Sequence, residues 1–170
     1  MNYRNAIIIE GPDCSGKTTL AKRISEYYNN ELDIVHCTGH DPKDYDFYLQ
    51  LMKKKNVVYD RHFIGEMIYP AIFDRKPCLT NREFNKLKTF AEVNNIPVIV
   101  VAPPEEVLMK RLDEERPNEE IEIKRTIRMA RAQFFEIAKN NPYFILVSPE
   151  DGNINLEEAI SRIETVYKGE

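Results

Sequence analysis

The chain is short of basic charge. Its 24 Lys and Arg stand against 28 Asp and Glu, a net charge of −4, and its isoelectric point lies near 5.5. Binding to long nucleic acid draws on clustered excess Lys and Arg, so that partner is disfavoured, although a local basic groove stays open. The chain also lacks a long apolar run. Its longest is Ile96-Pro97-Val98-Ile99-Val100-Val101-Ala102, well short of the roughly 20 residues that span a bilayer, so no membrane partner is expected. Met1 to Asn5 contain no apolar signal-peptide segment. Cysteine is scarce: Cys14, Cys37 and Cys78 are an odd count without a CxxC, which argues against a disulfide framework and for a reducing, cytoplasmic setting. No internal repeat or low-complexity tract occurs.

What remains is a globular composition, 42% hydrophobic and 31% charged over 170 residues. That length favours one compact domain, 1–170, able to bury roughly 70% of its unfolded surface. Strands and helices alternate. Ala6 to Glu10, Ile34 to Cys37, Val57 to Tyr59, Pro97 to Ala102 and Tyr143 to Val147 read as strands. The fourth is apolar on both faces, as a buried parallel strand should be. Helical periodicity follows Gly16 and covers Phe47 to Lys54, 63–73 and 81–94, the last capped by Thr80 or Asn81. It continues from Pro104 to about Leu112, from Ile121 to Lys139 and from Leu156 to Tyr167. Five strands separated by helices predict an α/β, three-layer fold with a five-stranded parallel sheet, helices on both faces and right-handed crossovers. Ligands in such sheets bind beyond the carboxyl ends of the strands.

The segment after the first strand is Gly11-Pro12-Asp13-Cys14-Ser15-Gly16-Lys17-Thr18, a full G-x-x-x-x-G-K-[ST]. Average residue frequencies produce it by chance in roughly one chain in two hundred, and a strand before it with a helix after it sharpens the match. Its chemistry is phosphate binding. Backbone N–H groups of the loop surround a phosphate and the helix start adds its positive end. Gly16 permits close approach, Lys17 supplies a point charge, and the Thr18 hydroxyl can ligate Mg²⁺. Gly11 to Thr19 are therefore the candidate ATP-binding residues, with Cys14 a small filler rather than a nucleophile.

The motif alone does not choose among ATPase, GTPase, kinase and motor. The pairing of N-K-x-D with a post-strand D-x-x-G that a GTPase carries is missing. The chain is small for a motor or transporter. It suits a small-molecule kinase with a three-layer P-loop NTPase fold and a short lid. After the third strand come Asp60 and Arg61. Asp60 would hold the waters of Mg²⁺, and the planar guanidinium of Arg61 suits an acceptor phosphate. The competing explanation is an Asp cap with an adjacent surface Arg. The charged, proline-interrupted stretch from Arg111 to Glu120 suits a lid over about 112–121. There Arg111 would cover adenine or reach the phosphates, and Arg116 would neutralise the transferring phosphoryl group. Arg125, Arg128 and Arg131 on the next helix could join them. The alternative for all of these is a solvated helix with Glu–Arg pairs.

Ile9-Glu10-Gly11-Pro12-Asp13-Cys14-Ser15-Gly16-Lys17-Thr18-Thr19 resembles the opening of thymidylate kinases, typically E-G-x-D-x-x-G-K-[ST]-T. Asp60-Arg61-His62 is similar to that family's D-R-Y, with His in place of Tyr. The resemblance implies a nucleotide-kinase-like fold, ATP and Mg²⁺ as co-substrate and metal, and a homodimer. It implies that Asp13 approaches the acceptor sugar or the catalytic arginine, and that Arg61 holds the acceptor phosphate. The P-loop holds no arginine, so it resembles members whose lid supplies one. The order of elements matches over most of the chain, and the specific motifs over about a sixth.

Two departures stand out. The family's R-E-P-G stretch is replaced by His36-Cys37-Thr38-Gly39-His40-Asp41-Pro42. Only about twenty residues separate the second and third strands, where the family carries its thymine-stacking aromatic and base-reading arginine. The acceptor-base pocket must be trimmed or rebuilt, which fits a compact, phage-type member. Tyr45, Phe47, Tyr48, Phe63, Tyr69 and Phe73 are candidate stacking residues, although such spacings also describe core. With Asp13, Asp60, Arg61 and His62, Phe63 completes the candidate substrate site. His36, Cys37 and His40 lack a convincing fourth ligand for zinc.

The leading expectation is phosphoryl transfer from Mg-ATP to a (deoxy)nucleoside monophosphate, with dTMP or a related pyrimidine deoxynucleotide favoured by the resemblance. A 5′-hydroxyl acceptor on a nucleoside or polynucleotide is the alternative. It needs a base, for which Asp41 or Asp13 could serve. A nucleotide-binding regulator without turnover is the third reading.

Overall fold

The computed structural model describes residues 4–39 and 41–169. Its strands are β1 Ile7–Glu10, β2 Asp33–His36, β3 Val57–Asp60, β4 Val98–Val101 and β5 Ile145–Val147. Its helices are α1 Lys17–Tyr27, α2 Tyr45–Met52, α3 Gly65–Ile72, α4 Asn81–Val93, α5 Glu105–Glu115, α6 Ile121–Lys139 and α7 Leu156–Lys168. The strands form one parallel sheet in the order β2-β3-β1-β4-β5. This is the expected five-stranded α/β arrangement, with element ends displaced by a few residues.

The two-residue period of the strands divides the core. Ile7 and Ile9 of β1, Val58 of β3, and Ile99 and Val101 of β4 face one layer, where Leu20, Ala21 and Ile24 of α1 and Ile160 and Ile163 of α7 close over them. Ile8, Val57, Tyr59, Val98 and Val100 face the opposite layer, closed by Tyr48, Ile68, Leu87 and Phe134. The apolar runs of β1, β3 and β4, broken only by Glu10 and Asp60 at the carboxyl ends of the first two, follow from this coverage. Burial of each of Ile7, Ile8 and Ile9 contributes about 1.5–3 kcal/mol. Leu108 and Leu112 of α5 meet Ile127 of α6 in a smaller cluster.

Local signals fix the ends. Thr80 and Glu83 form a reciprocal capping box at the start of α4. Asn155 caps α7, which ends on Gly169. β2 departs from expectation: all four of its residues are exposed, because it is an outer strand with a neighbour on one side only.

Parallel strands share one carboxyl edge. The register sets His36 beside Asp60, and Ile9 beside both Asp60 and Ile99. Consequently the ends of β1, β2 and β3 deliver Glu10, His36 and Asp60 to one crevice. Among the described residues no helix is long and apolar enough to cross a membrane.

Candidate functional site

The turn from β1 to α1 carries the phosphate-binding motif. Gly11 has φ 149°, and a Cβ there would overlap the Val101 carbonyl of β4. Gly16 precedes α1 with φ 97° and leaves the helix start without a side-chain cap. Its first-turn N–H groups are therefore not claimed by a capping oxygen, the arrangement that favours an anion. Lys17 is buried, and its Nζ donates to the Pro12 carbonyl at 2.6 Å. Burial lowers Lys17 to about 8, and the Arg61 charge pushes the same way against Asp13, Asp60 and Glu10.

Thr18 and Asp60 meet beside this loop. The Thr18 hydroxyl donates to Asp60 Oδ2 at 2.5 Å. His36 Nδ1 lies 3.1 Å from the same oxygen, as the strand register requires. Asp60 Oδ1 is buried without a partner. The Thr18 hydroxyl and the Asp60 carboxylate, one of whose oxygens has no partner, are hard oxygen donors of the kind that fits Mg²⁺.

Two cavities flank the turn. The first, of about 450 Å³, is bounded by Thr18, Thr19, Arg23, Arg111, Gly152 and Ile154. Arg111 donates to the carbonyls of Cys14 (3.1 Å), Ser15 (3.0 Å) and Gly152. Arg23 donates to the Ile154 carbonyl at 2.9 Å. The segment after β5 thus becomes a wall of this cavity, a role that no motif announces. Its signal is the Pro-Glu-Asp-Gly turn at 149–152, beyond the carboxyl end of a strand.

The second cavity, of about 410 Å³, lies on the opposite side. Arg61 stands at its head with φ 75°, a strained conformation for a non-glycine residue and one that clusters at functional sites. Its guanidinium pairs with Asp13 Oδ1 at 2.5 Å, while Arg116 lies 4.0 Å from Asp13 Oδ2 and 3.1 Å from Glu119. The α5–α6 connection therefore brings Arg116 to the P-loop, where it also touches Cys14 Sγ at 3.7 Å. Burial holds the Cys14 thiol above its usual range, consistent with a filler.

The floor of this cavity includes Glu10, Lys43, Tyr48, His62 and Glu66. Burial raises Glu10 to about 7, against the Ile64 N–H that it accepts at 2.7 Å. Burial lowers His62 to about 3, so its ring is neutral between Tyr48, Tyr59 and Phe63. Glu66 Oε1 lies 3.3 Å from Lys43 Nζ and accepts from the Tyr48 hydroxyl at 3.4 Å.

Buried polar atoms are normally paired. Among the described residues, the exceptions are Ser15 Oγ, Asp60 Oδ1, both His62 nitrogens and Glu66 Oε2. All belong to the loop, the Thr18–Asp60 pair or the second cavity. Unmet hydrogen-bonding capacity is concentrated where ligands would bind.

Several sequence candidates fall elsewhere. Phe63 is fully buried in the core against Phe84 and does not reach the second cavity. Tyr48, Tyr69 and Phe73 do line it, whereas Tyr45 and Phe47 do not. Arg125 is exposed. Arg128 pairs with Glu105 at 2.7 Å and Arg131 donates to the Pro103 carbonyl at 3.0 Å, so these arginines join α6 to α5 and its approach. Asp41 accepts from the Thr38 N–H at 2.5 Å. Of the zinc candidates, His36 holds Asp60, Cys37 is raised to about 12 by burial, and His40 lies outside the described residues. Glu10, Lys43 and Glu66 are additions that the sequence motifs do not assign a role. A lone carboxylate in the apolar stretch Gly65-Glu66-Met67-Ile68 was the available signal.

No protein-family model matches the chain. It is 30% identical over 114 residues to the SPbeta prophage-derived uncharacterized protein YorR of Bacillus subtilis strain 168, spanning 62% of this chain and 66% of that one. The crystal structure of YorR from Bacillus subtilis, in complex with phosphorylated GDP, superposes with a TM-score of 0.74 at 21% identity, over 96% of this chain and 95% of that one. This chain has the P-loop kinase fold. Two further proteins share it. Thymidylate kinase from Candida albicans matches at TM-score 0.60 and 16% identity, over 99% and 94% of the two chains. Deoxyadenosine kinase from M. mycoides with bound dATP matches at 0.59 and 16%, over 95% and 100%. In this P-loop kinase fold, the two cavities occupy the carboxyl edge of the sheet on either side of β1.

Proposed function

We propose that the chain transfers the γ-phosphoryl group of Mg-ATP to a (deoxy)nucleoside monophosphate. The observation that carries this reading is the convergence of Arg61 and Arg116 on Asp13, at the P-loop and between two separate cavities. ATP would enter the first cavity, with its phosphates in the Gly11–Thr18 turn. The acceptor would enter the second, with its phosphate toward Arg61.

An acceptor phosphate oxygen is already anionic at neutral pH, so it attacks the γ-phosphorus without a strong base. The bond from that phosphorus to the β-bridging oxygen breaks, and ADP leaves. The protein's contribution is alignment and charge compensation. Lys17 exchanges the Pro12 carbonyl for phosphate oxygens. Arg61 holds the acceptor phosphate as a planar fork. Arg116, on the short connection between α5 and α6, neutralises the transferred group and helps exclude water. Thr18 and Asp60 would hold Mg²⁺, whose charge offsets that of the polyphosphate.

A 5′-hydroxyl acceptor would need a base, yet Asp13 is engaged by two arginines and Asp41 by the Thr38 backbone. The monophosphate reading therefore leads, and the homodimer implied by the sequence resemblance remains part of it. The test is an ATP-to-ADP assay over nucleoside monophosphates including dTMP, free nucleosides and 5′-hydroxyl oligonucleotides. Acceptor-dependent turnover is expected with monophosphates. Turnover with nucleosides or oligonucleotides alone would move the assignment to hydroxyl acceptors. Tight ATP binding with only trace turnover would leave a regulator.

A further inference from the structure

The floor of the acceptor cavity carries hydrogen-bonding capacity that phosphate transfer does not use. α3 is apolar apart from Glu66, its one carboxylate. Burying a carboxylate is costly unless every oxygen finds a donor. An ion pair tying the loop before α2 to α3 would account for Glu66 Oε1, which lies near Lys43 and Tyr48. It does not account for Oε2, nor for the two ring nitrogens of His62, which line the same cavity without partners. These atoms are distinct from Arg61 and Arg116 at the phosphate end.

Building on the acceptor-nucleotide reading above, we infer that the Lys43–Glu66 pair selects an acceptor whose base carries an exocyclic amino group. Glu66 Oε2 can only accept a hydrogen bond, and Lys43 can only donate. Cytosine, adenine and guanine each present an amino donor beside a ring nitrogen, and cytosine and guanine add a carbonyl that a lysine can pair. Thymine and uracil present two carbonyl oxygens on either side of a single N–H. A carboxylate oxygen that takes that N–H is pressed against the lone pairs of a carbonyl on each side, so the diketo edge pairs with Glu66 less well than an amino group does. A neutral His62 supplies one donor and one acceptor in either tautomer, which suits the remaining edge of the base. The cavity volume of about 410 Å³ falls in the range typical of small-molecule sites. Of the pyrimidine deoxynucleotides suggested by the sequence resemblance, this selection turns away dTMP and keeps an amino-bearing one.

The test measures kcat/KM with Mg-ATP for dCMP, dAMP and dGMP against dTMP and dUMP, and calorimetric binding of the same nucleotides to the protein without ATP. At least one amino-bearing nucleotide should exceed both diketo ones by about tenfold or more, because an amino group meets the carboxylate without a carbonyl lone pair on each side of its hydrogen bond. Glu66→Gln should collapse that ratio, chiefly through KM, while ATP affinity stays unchanged. A merely structural pair would instead lower thermal stability and affect all acceptors alike. If Glu66→Gln does not fold, Lys43→Gln alters the more exposed partner and should reduce the same ratio.

Equal or better use of dTMP or dUMP overturns the inference and leaves the kinase reading standing. Absence of turnover with every acceptor, together with calorimetric preference for amino-bearing nucleotides, sinks the kinase reading and keeps the base selection. Absence of preference in both measurements overturns the base selection, as does an unchanged ratio in a folded Glu66→Gln.

Discussion

The two cavities beside the P-loop are built from different materials. Around the first cavity the groups in play are mostly main chain: loop N–H groups, and the carbonyls of Cys14, Ser15, Gly152 and Ile154 gripped by Arg111 and Arg23. Around the second they are side chains: Asp13 with Arg61 and Arg116, and Glu66 with Lys43, around a buried Glu10 and a neutral His62. A backbone-built site depends on turn geometry and tolerates changes of side chain. A side-chain-built site can be re-tuned one residue at a time, and this is where related folds would diverge in substrate.

The strongest way to break that contrast is Lys17→Ala. It removes the buried cation of the phosphate-binding turn, and turnover should fall by about a hundredfold or more with the fold intact by circular dichroism. Near-normal activity would refute the phosphate-cradle assignment. Next is Arg61→Ala, expected to cost about a hundredfold in kcat/KM for the acceptor while ATP affinity by calorimetry changes little. Arg61→Lys should recover only part of the loss, since a lysine keeps the charge and loses the fork. Equal damage to ATP binding would erase the division between the cavities.

Arg111→Ala sharpens the comparison from the opposite side. Freeing three carbonyls should raise the KM for ATP by about tenfold and leave the acceptor KM unchanged. The smallest effect is a pH slope. Burial holds Glu10 up at about 7 from an ordinary value near 4.5, so between those values the folded state keeps a proton that the unfolded chain releases. Stability from this group is full below about 4.5 and declines as pH rises through 7. Thermal midpoints measured from pH 5 to 7.5 should fall less steeply in Glu10→Gln. Identical slopes in the two proteins would dismiss the buried-acid account.

The same contrast explains what the sequence could tell. The P-loop was legible whole, because contiguous residues build it. Asp60 and Arg61 were legible because they end an apolar strand whose carboxyl edge must face the crevice. Arg116 was legible from its place in a charged break between helices. The alternation of strands and helices announced the sheet, yet not that β2 would lie bare at its edge. Most of the floor of the second cavity stayed hidden, since Glu10, Lys43 and Glu66 come from separate elements and meet only by packing; His62 alone was named, from its place after Arg61. Phe63 looked like a base platform by position, but its side chain turns into the core. Arg128 and Arg131 share a helix face with the spacing of lid arginines, and packing against Glu105 and Pro103 gave them other partners.

Asp13 has a guanidinium on either side and Glu119 holds the second of them, so two carboxylates offset two guanidiniums before anything arrives. A stray inorganic anion must outcompete a tethered rival to engage Arg61 or Arg116 and gains little by doing so. Two phosphate chains entering from opposite sides can claim both guanidiniums together. Loose anions in the surrounding medium should therefore be weak inhibitors of this protein, while a molecule joining both nucleotides through one phosphate bridge should be a strong one.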